Sequence, residues 1–200
     1  MPEERETDAA LMIRVKQGDT VAFAELVDKY KQPVISLLGR LLKDSTEAED
    51  IAQNTFVQVF KSAGRYHPEA SFASWLFTIA RRLGLNELRR RSRHPADSIE
   101  SSRKEGEDLP PREFVDTANP EPPQNLLRHE LEQKIEESLA ELPENQRTAI
   151  LLCRQDELTY EEIAEVLECS LSATKSLIFR ARETLKQRLK PYLKSGDWNP

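Results

Sequence analysis

The sequence predicts an all-α protein of two helical domains joined by a flexible linker. Apolar residues recur at i, i+3 and i+4 through both ends of the chain, and no strand-like alternation of any length interrupts them. Only 6 of the 200 residues are glycine, while Leu, Ala, Glu, Arg and Lys dominate. Between the helical stretches, residues 94–124 hold Pro95, Pro110, Pro111, Pro120, Pro122 and Pro123 among many acids and serines, with no helical period. The expected boundaries are 1–93 for the first domain, 94–124 for the linker and 125–200 for the second domain.

The elements follow in order. Asp8 can cap a first helix that ends at Gly18, and Thr20 can cap a second, where Phe23, Leu26, Val27 and Tyr30 share a face. Pro33 suits the first turn of a third helix carrying Val34, Leu37, Leu38, Leu41 and Leu42. Thr46 can cap a fourth, in which Ala48, Ile51, Ala52, Thr55, Phe56, Val59 and Phe60 keep the helical spacing up to Gly64. Ser71 can cap a long fifth helix striped by Phe72, Trp75, Leu76, Ile79, Ala80 and Leu83. In the second domain one helix carries Leu131, Ile135, Leu139 and Leu142, and another starts near Pro143 with Ile150 and Leu151. A helix-turn-helix pattern completes the domain: 158–167, the turn Glu168-Cys169-Ser170, then a basic helix from Leu171.

Several classes of function are disfavoured by what the sequence lacks. It has no apolar run of ~18 residues that could span a membrane, and its first residues are acidic and polar, unlike a secretory signal. Cys153 and Cys169 cannot make a disulfide framework, and with 3 histidines they give no zinc pattern, so buried reduced thiols and a cytoplasmic location are expected. There is no glycine-rich phosphate loop, nucleophile elbow or paired Cys/His cluster. No catalytic residue, metal or cofactor is therefore expected, and the chain reads as a non-enzyme.

Charge is distributed unevenly. The net charge is −6, yet residues 81–93 carry six arginines against Glu87, a local +5. Residues 171–194 carry seven cations against Glu183, a local +6, while 125–170 stand at −8. Local clusters of this kind, rather than the global sign, set contact with phosphate.

Three faces carry the functional reading. On the last helix Leu171, Ile178, Ala181 and Leu185 can line a buried side, leaving Ser172, Lys175, Ser176, Phe179, Arg180 and Arg182 outward. Short polar and cationic side chains on one helix face suit base edges and phosphates of a duplex major groove; the alternative is a helix pair that packs on another domain. On the fourth helix Asp50, Gln53, Asn54 and Val57 form a second stripe opposite the core. An amide pair beside an exposed valine suits partner docking, with an ordinary polar face as the alternative. The fifth helix joins Phe72, Trp75 and Phe77 to Arg81, Arg82, Asn86, Arg89, Arg90 and Arg91, a mix that can stack and hold separated strands. Phe72 and Trp75 also lie on the core stripe, where packing is the simpler role; Phe77 lies off it and is expected to be exposed.

Two sets of motifs carry a family resemblance. Glu47-Ala48-Glu49-Asp50-Ile51-Ala52-Gln53-Asn54-Thr55-Phe56-Val57, Trp75-Leu76-Phe77-Thr78-Ile79-Ala80-Arg81 and Leu88-Arg89-Arg90-Arg91 resemble regions 2.2 to 2.4 of the extracytoplasmic-function (ECF) sigma factors of the sigma-70 family. Leu142-Pro143-Glu144-Asn145-Gln146-Arg147, Tyr160-Glu161-Glu162-Ile163-Ala164 and Arg180-Ala181-Arg182 resemble region 4. The resemblance implies a bacterial initiation factor that directs core RNA polymerase to promoters. It implies polymerase docking through Asp50, Gln53, Asn54 and Val57, and minus-ten recognition and melting by Trp75, Phe77, Arg81, Arg82, Asn86, Arg89 and Arg90. It implies minus-thirty-five reading by Ser172, Lys175, Ser176, Phe179, Arg180 and Arg182, and an anti-sigma factor as a further partner. The chain departs from the family pattern at Arg82, Asn86, Ala173-Thr174 and Glu168, the last in a turn position usually held by glycine, strained if its φ is positive. Two other readings stay open on the residues alone. One is a free-standing regulator that binds its operator without polymerase, against which the lack of an obvious dimerisation seam counts. The other is an interaction protein that recognises no promoter.

Overall fold

The computed structural model describes residues 7–93, 122–155 and 158–195. These form the helices α1 (Asp8–Lys16), α2 (Thr20–Leu42), α3 (Ser45–Ser62), α4 (Phe72–Arg93), α5 (Pro122–Ala140), α6 (Glu144–Leu152), α7 (Tyr160–Leu167) and α8 (Leu171–Ser195), with a 3-10 turn at Ala63–Arg65. No strand occurs among the described residues. The stretch expected to be a linker lies outside them but for its last residues, where α5 begins at Pro122, three residues ahead of the expected domain start.

The first four helices show how local chemistry sets the boundaries. Thr7, rather than Asp8, caps α1 by accepting from the Ala10 amide at 3.3 Å. Asp8 sits in the first turn instead, accepting from the Tyr30 hydroxyl at 2.5 Å and Lys29 Nζ at 2.9 Å. Asp19, not Thr20, caps α2, taking the Val21 and Ala22 amides at 2.9 and 3.1 Å. These bonds, the Ala22 amide first and then the Arg14 guanidinium, hold the Asp19 carboxyl below the usual carboxylate range. Asp44, not Thr46, caps α3 through the Glu47 amide at 3.0 Å. In each case a residue one or two positions earlier has the extended backbone that a cap requires. Ser71 does cap α4, accepting from the Ser74 amide at 3.3 Å.

Pro33 does not start a new helix. It lies inside α2, which runs 23 residues without a break. An interior proline costs ~3 kcal/mol, and the burial of Tyr30, Val34, Leu37 and Leu38 on either side of it offsets this. The expected second and third helices are therefore one, and the expected fourth and fifth become α3 and α4. Gly84 fixes how closely α4 lies on α2: a Cβ there would stand 2.9 Å from Leu41 Cδ2 and 3.0 Å from Leu38 Cδ2.

In the C-terminal half, α5, α6 and α7 pack around α8. Arg147 ties this group together, its Nη2 donating to the Ala140 and Leu142 carbonyls at the end of α5 at 2.8 and 3.0 Å. The two halves also meet. α4 packs on α7, and α2 packs on α5 and α6, so one hydrophobic cluster runs from Leu11 through to Ala181.

Candidate nucleic-acid interface

The helix-turn-helix is built locally. Thr159 and Glu162 form a reciprocal capping box at the start of α7. Glu168 ends α7 in the left-handed region at φ 56°, the positive φ that made a non-glycine residue strained there. Ser170 Oγ then accepts from the Ala173 amide at 3.2 Å to begin α8. Thr174, Ile178 and Ala181 are buried, and they fix the rotation of α8. Ser172, Lys175, Ser176, Phe179, Arg180 and Arg182 consequently all face solvent. Phe179 is 66% exposed, the largest value among the exposed large apolar side chains of the described residues. Two of the set are tied: Arg182 Nη2 stands 3.4 Å from Cys153 Sγ, and Ser176 Oγ donates to the Ser172 carbonyl at 3.0 Å. Both cysteines are free and half-buried rather than buried, Cys169 lying 3.2 Å from Thr174 Oγ1.

On α3, Asp50, Gln53, Asn54 and Val57 are all exposed on one stripe. Phe60, expected in the core, continues that stripe one turn further at 43% exposure, with its ring 5.0 Å from Phe23. Its i+3 spacing from Val57 is the signal that places it there.

The arginine helix differs from expectation at two residues. Phe77 is 1% exposed, its ring 6.4 Å from Tyr30. The buried face of α4 is wider than one stripe, taking in Ala73, Phe77, Arg81 and Gly84 as well as Phe72, Leu76 and Ala80, because α4 is covered by α2 and α3 and also by α7. Phe77 is thus a core residue in this arrangement and not an exposed stacking ring. Arg81 is likewise buried, its Nη2 donating to Asn145 Oδ1 at 2.9 Å and lying 3.4 Å from Glu144 Oε1. Trp75 is half-buried beside Tyr66 and Phe72, with ring centroids 5.4 and 6.3 Å away.

Further along α4 the arginines emerge. Asn86, Arg89, Arg90 and Arg93 line a shallow cavity of about 320 Å3. Arg90 is held at 2.7 and 2.8 Å by Glu87, which also takes Arg91 Nε at 3.0 Å. Arg90 and then Arg91 keep the Glu87 carboxyl below the ordinary glutamate range. Arg91 reaches on to Asp44 and Glu47 at 3.1 and 3.5 Å, so it braces α4 against α3. Arg82 donates to Glu168 Oε1 through Nε at 3.0 Å and Nη2 at 2.6 Å, and this holds Glu168 low. Glu87 and Glu168 are the functional neighbours that sequence reasoning missed; charge counting alone cannot show which carboxylate an arginine will take.

The chain matches the Sigma-70 region 2 family over residues 26–94 and the Sigma-70, region 4 family over residues 132–185. It is 35% identical over 196 residues to the RNA polymerase sigma-H factor of Pseudomonas aeruginosa, covering 96% of this chain and 98% of that one. It is 34% identical over 192 residues to the ECF RNA polymerase sigma-E factor of Haemophilus influenzae, covering 95% and 99%. Its fold resembles the sigma factor RpoE of Bartonella quintana, solved with the anti-sigma factor NepR, at a TM-score of 0.64 and 22% identity over 84% of this chain and 96% of that one. The chain belongs to the ECF sigma factors of the sigma-70 family. It is a transcription initiation factor that directs core RNA polymerase to promoters, and the catalysis is the polymerase's, not its own. None of the described helices is long and apolar enough to cross a membrane.

Proposed function

We propose a division of labour among three surfaces. The α3 stripe of Asp50, Gln53, Asn54 and Val57, extended by Phe60, docks on core polymerase. An exposed apolar centre flanked by amides and one carboxylate has the composition of a protein interface. The α8 face reads the minus-thirty-five duplex. Lys175, Arg180 and Arg182 supply cations for phosphates or guanine edges, Ser172 and Ser176 supply short hydrogen-bonding groups, and Phe179 offers an apolar edge to a thymine methyl. α4 holds the melted minus-ten strand with Arg82, Asn86, Arg89 and Arg90, beside the half-exposed Trp75 as a stacking surface. Residues 1–93 and 125–200 act as the two units, in the cytoplasm where the polymerase works. An anti-sigma factor is a further partner, as it is for the Bartonella quintana protein of the same fold.

The observation that carries this reading is the α8 face: six outward side chains backed by buried Thr174, Ile178 and Ala181. The test is run-off transcription with purified bacterial core polymerase on pooled genomic fragments, with and without the chain. New discrete transcripts are expected, and their start sites give the promoter. No transcripts, together with specific duplex binding by the chain alone, would overturn the reading in favour of a free-standing regulator.

A further inference from the structure

α8 is longer than the face that reads a duplex. Its 25 residues extend ~37 Å at ~1.5 Å each, whereas the major groove is ~12 Å wide. The outward side chains from Ser172 to Arg182 take up only ~15 Å of that length. A straight helix cannot follow a groove that winds around the duplex. The remainder of α8 therefore leaves the groove across one of the phosphate ridges that border it. The helical period sets what it presents there. Phe179, Glu183, Lys186 and Lys190 stand at i, i+4, i+7 and i+11, so the stripe of Lys175 and Phe179 runs on through both lysines.

The structure keeps this part of the stripe outward and available. Leu185 and Leu189 are half-buried, and Arg188, on the side of α8 opposite the stripe, pairs with Glu141 just after α5. These contacts fix the rotation of the C-terminal half as Thr174, Ile178 and Ala181 fix that of the N-terminal half. The Lys186 side chain is 75% exposed, and Lys190 is exposed too. Glu183 holds Lys186 only at 3.8 Å between exposed groups, a weak tie, and among the described residues Lys190 has no side-chain partner.

We propose that Lys186 and Lys190 grip the phosphate ridge beside the minus-thirty-five groove, carrying the DNA contact of α8 about two turns past Arg182. The grip rests on the reading of α8 as the duplex-reading helix. Glu183 cannot lie against a phosphate, so the ridge meets the stripe beyond it, at Lys186. A lysine ammonium is a compact charge without the planar fork that selects a base edge, which suits phosphate. Between Phe179 and Lys190 the stripe holds no apolar residue, so it lacks the centre of a protein interface. Phosphate contacts fix register and orientation but carry no sequence information. The two lysines thus set how α8 lies in the groove, and the residues up to Arg182 read it.

The test uses the full-length chain assembled with core polymerase, on a promoter duplex found by run-off transcription. The variants are Lys186→Gln, Lys190→Gln and the two together. Both positions are exposed and glutamine is a good helix former, so the helix is kept. Each single change should weaken promoter binding by ~3-fold and the pair by ~10-fold at moderate salt, with the slope of log affinity against log salt shrinking by ~0.9 per lysine. The preference for the promoter over a duplex scrambled at the minus-thirty-five element should stay the same, because the loss falls equally on every sequence. Arginine at both positions should keep the slope. Neutral methylphosphonate linkages, placed one at a time along both strands, should weaken the natural chain at two positions where they leave the double variant unaffected. An unchanged slope in the double variant, or a lost preference for the element, would overturn the grip. So would full promoter affinity with reduced transcription, which would mark the two lysines as a contact for an acidic protein. Lys175→Ala separates the grip from the reading beneath it. If only the grip is wrong, that variant still binds duplex more weakly; if it also binds as the natural chain does, α8 is not the duplex reader.

Discussion

The two cationic helices, α4 and α8, hold their charge in different ways. On α8, Lys175 and Arg180 project from a face fixed only by the residues buried behind it. On α4, Arg81, Arg82, Arg90 and Arg91 each have a partner: Asn145, Glu168, Glu87, and Glu87 with Asp44. A free cationic face meets a duplex at once and is limited by salt screening. A partnered one must first give up its own hydrogen bonds, so strand binding becomes a competition. The same element of composition, a run of arginines and lysines, thus encodes an open surface in one place and a conditional one in the other.

The largest expected effect separates these two helices. Changing Arg89 and Arg90 together to Glu reverses the charge of the α4 cavity, and open-complex formation should fall by more than ~100-fold. Permanganate reactivity of melted thymines reads this, and duplex capture through α8 should persist. Melting retained in that variant would remove α4 from the mechanism. Next in size is the surface outside both helices. Val57→Asp places a charge at the apolar centre of the α3 stripe and should weaken polymerase binding by ~10- to 100-fold, the range of an interface hot spot, with oligo(dT) and duplex binding by the chain unchanged. Unaltered polymerase affinity would show that the stripe is ordinary solvent-facing surface.

Which parts of this were legible in the sequence follows from what each part depends on. The α8 face was legible because the spacing of Leu171, Ile178, Ala181 and Leu185 turns the other six residues outward, while the burial of the polar Thr174 was not foreseen. The α3 stripe was legible for the same reason, and Phe60 was missed only because it sits at the border of the two stripes. Pro33 misled because proline is read as a breaker, while the burial gained on either side of it is tertiary. Phe77 misled because one apolar stripe was assigned to α4, whereas the buried face is wider and Phe77 packs on Tyr30 of α2. The partners of Arg81 and Arg82, Asn145 and Glu168, lie 64 and 86 residues away. No local pattern carries such pairings, although the unusual Arg82 and Glu168 each stood out before they were seen to meet.

Two smaller effects bear on how α4 is held. Gly84→Val drives a side chain into Leu41 and Leu38 and should cost ~1–3 kcal/mol of stability to denaturant, as overpacking does; no loss would mean that α4 can ride away from α2. The Glu87 carboxyl, held low first by Arg90, should titrate below an ordinary glutamate when followed by NMR. Because its folded value is depressed, its pairing stabilises α4 above the ordinary glutamate range and is lost as pH falls through the depressed value. Arg90→Met should move that midpoint up, and an unmoved midpoint would deny the pairing.

The smallest effect sharpens the contrast from the α8 side. Among the described residues no carboxylate pairs with Lys175, so its loss is a direct loss to DNA. Lys175→Ala should weaken duplex binding by ~3- to 10-fold at moderate salt. If Lys175 neutralises one phosphate, the slope of log affinity against log salt should shrink by ~0.9. If it reads a guanine edge instead, the slope should change less and selectivity at one base pair should relax by ~1–3 kcal/mol. Arg82→Ala on α4 should lose less strand affinity in the free chain than Lys175→Ala loses on duplex, because Arg82 already commits its charge to Glu168. The two substitutions delete the same charge, and only a partnered arginine gives the smaller loss. Equal losses at both positions would therefore show that Arg82 is as free as Lys175.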